Sequence, residues 1–80
     1  MARIFLSGEL RRIAGGEESL EIDARSVRDL VDALEERFPG MRARIDGMAV
    51  AIDGEILPDA FLEAVEPESE IHFLPPVRGG

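Results

Sequence analysis

Eighty residues leave room for one small domain, and a 45% apolar content is enough for a single core. Seventeen acidic residues against nine basic ones give a net charge of −8, the wrong sign for gripping a phosphate backbone; nucleic acid is excluded as a partner and basic protein surfaces are favoured. With no cysteine there is no disulfide framework, thiolate metal site or cysteine nucleophile, and no apolar run approaches the roughly 18 residues of a membrane-spanning helix.

In chain order, Ala2 to Ser7 alternates Ile4 and Leu6 against Arg3, Phe5 and Ser7, the period of a half-buried strand. Gly8 breaks it, Glu9 to Ala14 fits one helical turn with Leu10 and Ile13 on one side, and Gly15-Gly16 supplies a turn. Ser19 to Asp23 alternates again and completes a hairpin. The clearest element is Ser26 to Phe38. Val27, Leu30, Val31, Leu34 and Phe38 line one stripe of a helix, Ser26 with Asp29 resembles a capping box, and Pro39-Gly40 ends it.

Met48 to Ile52 reads as a third strand with Val50 and Ile52 as its heavier side. Asp53-Gly54 signals a tight turn into Glu55-Ile56-Leu57, which Pro58 closes. Asp59 to Val65 is read as a helical turn carrying Phe61, Leu62 and Val65, and Pro67-Glu68-Ser69 as a turn. Glu70 to Leu74 is the last strand. The opening segment, Met1 to Glu9, is charged too early for a secretory signal, so a cytoplasmic location is expected.

A 13-residue helix is roughly 20 Å long and covers one face of a small sheet, not both. The expected class is therefore α+β: a mixed sheet of four or five strands with the main helix on one face. Acting as a crossover between the second and third strands, the helix sets the first and last strands side by side in the centre. That is a β-grasp, or ubiquitin-like, fold over residues 1–74, with 75–80 as an extended tail.

The tail, Pro75-Pro76-Val77-Arg78-Gly79-Gly80, has no packing periodicity. Two prolines favour polyproline II and cannot extend a sheet, and six residues reach on the order of 20 Å. Glycines at 79 and 80 have no side chain to block a narrow channel. These are the properties of an arm that delivers its own carboxylate into another protein's active site.

Phe73-Leu74-Pro75-Pro76-Val77-Arg78-Gly79-Gly80 resembles the carboxyl terminus of the MoaD/ThiS ubiquitin-like sulfur carriers, especially the MoaD branch, the small subunit of molybdopterin synthase. Ile4-Phe5-Leu6 through Leu10-Arg11-Arg12-Ile13-Ala14-Gly15 is similar to that branch's first strand and turn, while Ser7 departs from it, standing where an exposed aromatic is common. The resemblance implies that a ubiquitin-activating-type adenylating enzyme uses ATP to activate the Gly80 carboxylate. A sulfur donor, such as a desulfurase or rhodanese, then displaces AMP to leave a thiocarboxylate. In the MoaD branch the acceptor is a pterin precursor in the large subunit of molybdopterin synthase. On this reading the chain is a carrier and not an enzyme, with Gly80 as the reacting residue, Pro75, Pro76, Val77, Arg78 and Gly79 threading into partners, and no bound cofactor or metal. A modifier joined through Gly80 to lysines, a carrier for thiamine, cysteine or tRNA thiolation, and a passive β-grasp interaction module stand as alternatives.

If Ile4, Leu6, Ile71 and Phe73 face the helix, then Phe5, His72 and Leu74 share the opposite side of the central strands. They form either a docking patch beside the tail or an ordinary scatter of exposed apolar groups. His72 reads as a rim contact or a strand residue without a role, and Arg78 as a partner contact or a solubilising residue. Glu63, Glu66, Glu68 and Glu70 read as a solvated face or a surface for a basic patch.

Overall fold

The computed structural model describes residues 1–57 and 61–75. Among the described residues eight elements occur in order: β1 (Ala2–Phe5), α1 (Gly8–Ile13), β2 (Ser19–Ile22), α2 (Val27–Arg37), α3 (Met41–Ile45), β3 (Ala49–Ile52), β4 (Glu55–Leu57) and β5 (Glu70–Leu74). The crossover through α2 is what decides the topology. The strands form one mixed sheet in the order β2-β1-β5-β3-β4, with β1 and β5 parallel in the interior and the other pairs antiparallel. This is the β-grasp arrangement read from the sequence.

Alternation places Ile4 beside Ile71 and Phe73 beside Val50, all facing α2. Ile4, Leu30, Leu34, Met41 and Ile71 are the largest fully buried side chains, and the core closes around them with Leu6, Leu10, Leu20, Val27, Val31 and Val65. Burying each such side chain contributes about 1.5–3 kcal/mol relative to leaving it in water.

Both ends of α2 are held by groups outside the helix. At the start, the Ser26 hydroxyl accepts from the Asp29 N–H at 3.1 Å, the forward half of a capping box. The two preceding N–H groups, of Val27 and Arg28, donate to the carbonyls of Glu63 and Phe61 at 3.0 Å each. Residues 61–65 therefore contain no helix: Phe61 and Leu62 form a turn, and Ala64 bridges to Ser26. This corrects the expected helical turn as far as the described residues go; Pro58, Asp59 and Ala60 lie outside them. The physical reason is that carbonyls used to satisfy the N-terminus of α2 cannot also form a helical ladder of their own. Val65 is buried, its N–H donating to the Arg25 carbonyl at 2.9 Å.

At the other end, Phe38 caps α2 and Gly40 turns left-handed at φ 100°, a conformation glycine adopts without steric cost. A short helix not expected from the sequence, α3, starts there, burying Met41 and Ile45 against the core. The Glu35 carboxylate joins the two helices, accepting from the Gly40 N–H at 3.1 Å and the Arg42 N–H at 2.9 Å. These bonds to the charged form hold its pKa below the ordinary carboxylate value.

That shift has a definite sign. A carboxylate whose pKa is lower in the folded than the unfolded chain stabilises fully above the unfolded value, about 4.3 for glutamate, and loses the contribution as pH falls through the folded value. Glu35→Gln should therefore be less stable than the parent protein at neutral pH, with the difference shrinking as the pH drops below about 4. Urea denaturation of both proteins across that range measures it; a difference independent of pH would show that the carboxylate charge is not what closes the turn.

Candidate functional site

Among the described residues α2 and α3 cover one face of the sheet and no helix covers the other, which we call the open face. On the open face, strand register sets side chains in rows across all five strands. One row runs Ser19, Phe5, His72, Ala51 and Ile56, because Phe5 pairs with both Ser19 and His72 while Ala51 pairs with both His72 and Ile56. The Phe5 and His72 rings stack, their centroids 4.5 Å apart and their planes within 8°. Toward the end of β5 the next positions are Leu74 and Ala49, which pair with each other.

Charge lies on the other side of this row. Arg3 pairs with Glu21 on β2 and with Glu70 on β5, and its guanidinium is 3.8 Å from the Glu21 carboxylate. An exposed pair of this kind contributes little stability. The Glu70 N–H donates to the Asp53 carboxylate at 2.9 Å, which anchors the β3–β4 turn to the start of β5 and holds Asp53 in its left-handed conformation, φ 50°. Along β5 the open face thus passes from charged at Glu70 to apolar at Leu74. Beyond Leu74 comes exposed Pro75.

Phe5, His72 and Leu74 share one face of adjacent strands, with His72 exposed and the other two half-buried. Of the expected tail residues, only Pro75 is described; Pro76, Val77, Arg78, Gly79 and Gly80 lie outside the described residues. Glu63, Glu66, Glu68 and Glu70 are all exposed. The sequence reading missed Ala49, Ala51 and Ile56. The Asp53-Gly54 turn signal contained them, because a tight turn there fixes Ile56 opposite Ala51.

A groove of about 1010 Å³ lies on the opposite side of the molecule, lined by Val27, Val31, Ile45, Met48, Val50 and Phe61 with Glu35 and Arg42 among its polar groups. Glu35 is engaged with the backbone N–H groups of Gly40 and Arg42 and the Arg42 guanidinium with Asp32, while Asp46 also lines the groove. Among the described residues no three His, Asp or Glu side chains cluster as metal ligands, and no helix is long and apolar enough to cross a membrane.

The profile of the ThiS family matches residues 4–80. The chain belongs to the ThiS family. ThiS-family proteins of this kind are ubiquitin-like sulfur carriers. Among solved structures, a chain of the Amycolatopsis orientalis BexX/CysO complex is 25% identical, with both chains covered completely and a TM-score of 0.86. The small archaeal modifier protein 1 of Haloferax volcanii is 28% identical over 99% of this chain and 98% of its own, at a TM-score of 0.71. A chain from the Helicobacter pylori complex of molybdopterin-converting factor subunits 1 and 2 shares the fold at 23% identity, covering 99% of this chain and 97% of its own with a TM-score of 0.66. No curated protein sequence matches.

Adjacent residues on β1 separate folding from the open face of this ThiS-family domain. Ile4 is fully buried, so Ile4→Ala should destabilise by about 2–5 kcal/mol. Phe5→Ala removes a half-buried ring and one stacking contact and should cost clearly less, about 1 kcal/mol beyond the lost area. Denaturant unfolding compares them; an equal loss for both would mean that the open face is part of the core.

Proposed function

We propose that the chain carries sulfur as a thiocarboxylate on Gly80. The observation that carries this reading is the family match, which runs through the terminal Gly79-Gly80 pair. A carboxylate oxygen leaves poorly, so activation comes first. In an adenylating partner, the Gly80 carboxylate attacks the α-phosphate of ATP, pyrophosphate departs, and an acyl-adenylate forms. The outer sulfur of a donor's persulfide, as on a desulfurase or rhodanese, adds to the acyl carbon as the carbon–oxygen bond to AMP breaks; a thiol then attacks the donor-side sulfur of this acyl disulfide, breaking its sulfur–sulfur bond to leave the thiocarboxylate on Gly80 and a disulfide between donor and thiol. Every catalytic group is supplied by partners. The carrier supplies the carboxylate, a thread of Pro75, Pro76, Val77, Arg78 and Gly79, and a docking face built on Phe5, His72 and Leu74. It needs no cofactor or metal of its own.

For the acceptor we propose the large subunit of molybdopterin synthase, acting in the cytoplasm. This rests on the resemblance of Phe73 to Gly80 to the MoaD branch. A modifier role, in which Gly80 forms isopeptide bonds with lysines, is the second reading; the 28% identity to the Haloferax volcanii modifier protein favours it.

Incubation with the adenylating enzyme, ATP and a sulfur donor should replace one terminal oxygen by sulfur, read by intact-mass spectrometry. Deleting Gly80 should abolish the mass change while leaving the unfolding transition in place. A chain that stays unmodified with a competent enzyme overturns the carrier reading, and Gly-Gly remnants on cellular lysines would establish the modifier.

A further inference from the structure

The groove on the helix side of the sheet has no part in the reading above. Helix α3 is only five residues long, and the space left between α2, α3 and β3 is a cavity of about 1010 Å³. Core side chains, among them Val31, Ile45 and Val50, form its apolar floor. Exposed residues rim it: Phe61, whose surface is 44% exposed, with Ala43, Asp46 and Gly47. The Asp46 carboxylate makes no ion pair or hydrogen bond among the described residues, whereas Glu35 is held by backbone N–H groups and Arg42 by Asp32.

The geometry points to one occupant, the chain's own segment 76–80, docked with Val77 on the apolar floor and Arg78 against the Asp46 carboxylate. Three observations select it. Leu74 pairs with Ala49, and the two residues before Ala49, Met48 and Gly47, line the groove, so the chain that follows Pro75 starts at the groove's edge. Five residues in extended or polyproline II form span on the order of 15 Å, enough to cross a cavity of that volume. The segment also matches in chemistry: Pro76 and Val77 are apolar like the floor, and Arg78 supplies the cation that the acidic rim lacks.

Tethering makes such a contact effective although it is small. A segment joined to the domain by one proline is present at the groove at millimolar effective concentration, which a separate peptide making the same contacts would have to match in solution. Docking and threading exclude each other, because Val77 and Arg78 cannot lie in the groove and in a partner's channel at once. On the function proposed above, an enzyme that charges Gly80 therefore binds only the undocked fraction, and its apparent affinity falls by that fraction. This consequence rests on that reading; the contact itself does not.

The test is nuclear magnetic resonance of the full, unsubstituted chain with labelled methyl groups. Nuclear Overhauser contacts from the Val77 methyls to Val31, Ile45 or Met48 should be present and should not weaken on dilution. Their absence overturns the proposal, and so does their loss on dilution, which would assign them to the tail of a second copy. Asp46 is exposed, so Asp46→Arg leaves the core untouched and should remove the contacts by placing like charges together. Adding Arg78→Asp to that variant should restore them with the charges exchanged; contacts indifferent to both changes overturn the pairing of Arg78 with Asp46. In steady-state charging of Gly80, Asp46→Arg should lower the KM for the carrier by about threefold or more with kcat unchanged. A KM that stays put although the contacts are gone overturns the competition between docking and threading. Failure to charge the unsubstituted chain sinks the function proposed above and leaves the methyl contacts readable, so the two failures are distinguishable.

Discussion

The parallel pairing of β1 and β5 is the constraint on which the rest of the architecture depends. The two strands are 65 residues apart in sequence, from Phe5 to Glu70, and no tight turn can join parallel neighbours. The chain between them supplies the crossover: a hairpin partner on one side, α2 across one face, and a second hairpin on the other side. Ile4 and Ile71 meet at the centre of this pairing, each with no exposed surface. One helix layer covers one face, and among the described residues the same pairing that builds the core leaves the second face without a helix. It also ends β5 in the interior of the sheet, between β1 and β3, so the chain leaves Leu74 from the middle of the open face's apolar end.

Long-range closure of this kind is slow to form and costly in chain entropy, and the structure supports it with local devices. The segment 61–65 satisfies two N–H groups of α2 with its carbonyls, and Val65 inserts into the core. Four residues later Ser69 is buried: its hydroxyl accepts from the Glu66 N–H at 3.0 Å, and its carbonyl accepts from the Arg3 N–H at 2.9 Å. The chain is thus fixed to α2 and then to β1 before β5 begins, so β5 enters the sheet in a register already set.

How much of the fold was legible depends on the length of each pattern. The strands and α2 were readable because alternation or a five-residue stripe repeats often enough to identify its period. Helix α3 was not: five residues with Met41 and Ile45 four apart give a single interval, too little to distinguish a helix from a loop. The 61–65 segment was misread for a related reason. Phe61, Leu62 and Val65 have helical spacing, yet Phe61 is 44% and Leu62 83% exposed, because the backbone carbonyls there are committed to α2 and sequence spacing carries no record of that. On the open face Phe5, His72 and Leu74 were legible from alternation, whereas placing Ala51 between His72 and Ile56 needed the register of β3 against both neighbours.

On the function proposed above the reacting group lies outside the sheet, and this accounts for how such a chain can keep its fold while changing most of its residues. At 25% identity a complete chain superposes with a TM-score of 0.86. A core that needs only apolar residues of suitable volume at alternating positions tolerates many sequences. An active site built from opposed side chains would not, since each of its members would have to be kept in place to within about half an ångström. With sulfur carried on Gly80, as proposed above, that demand does not fall on the sheet. The sheet then has less to preserve: the register that sets the open face against the root of the tail, because a slip of one residue in β5 would exchange His72 and Leu74 for Ile71 and Phe73 and turn the face inside out.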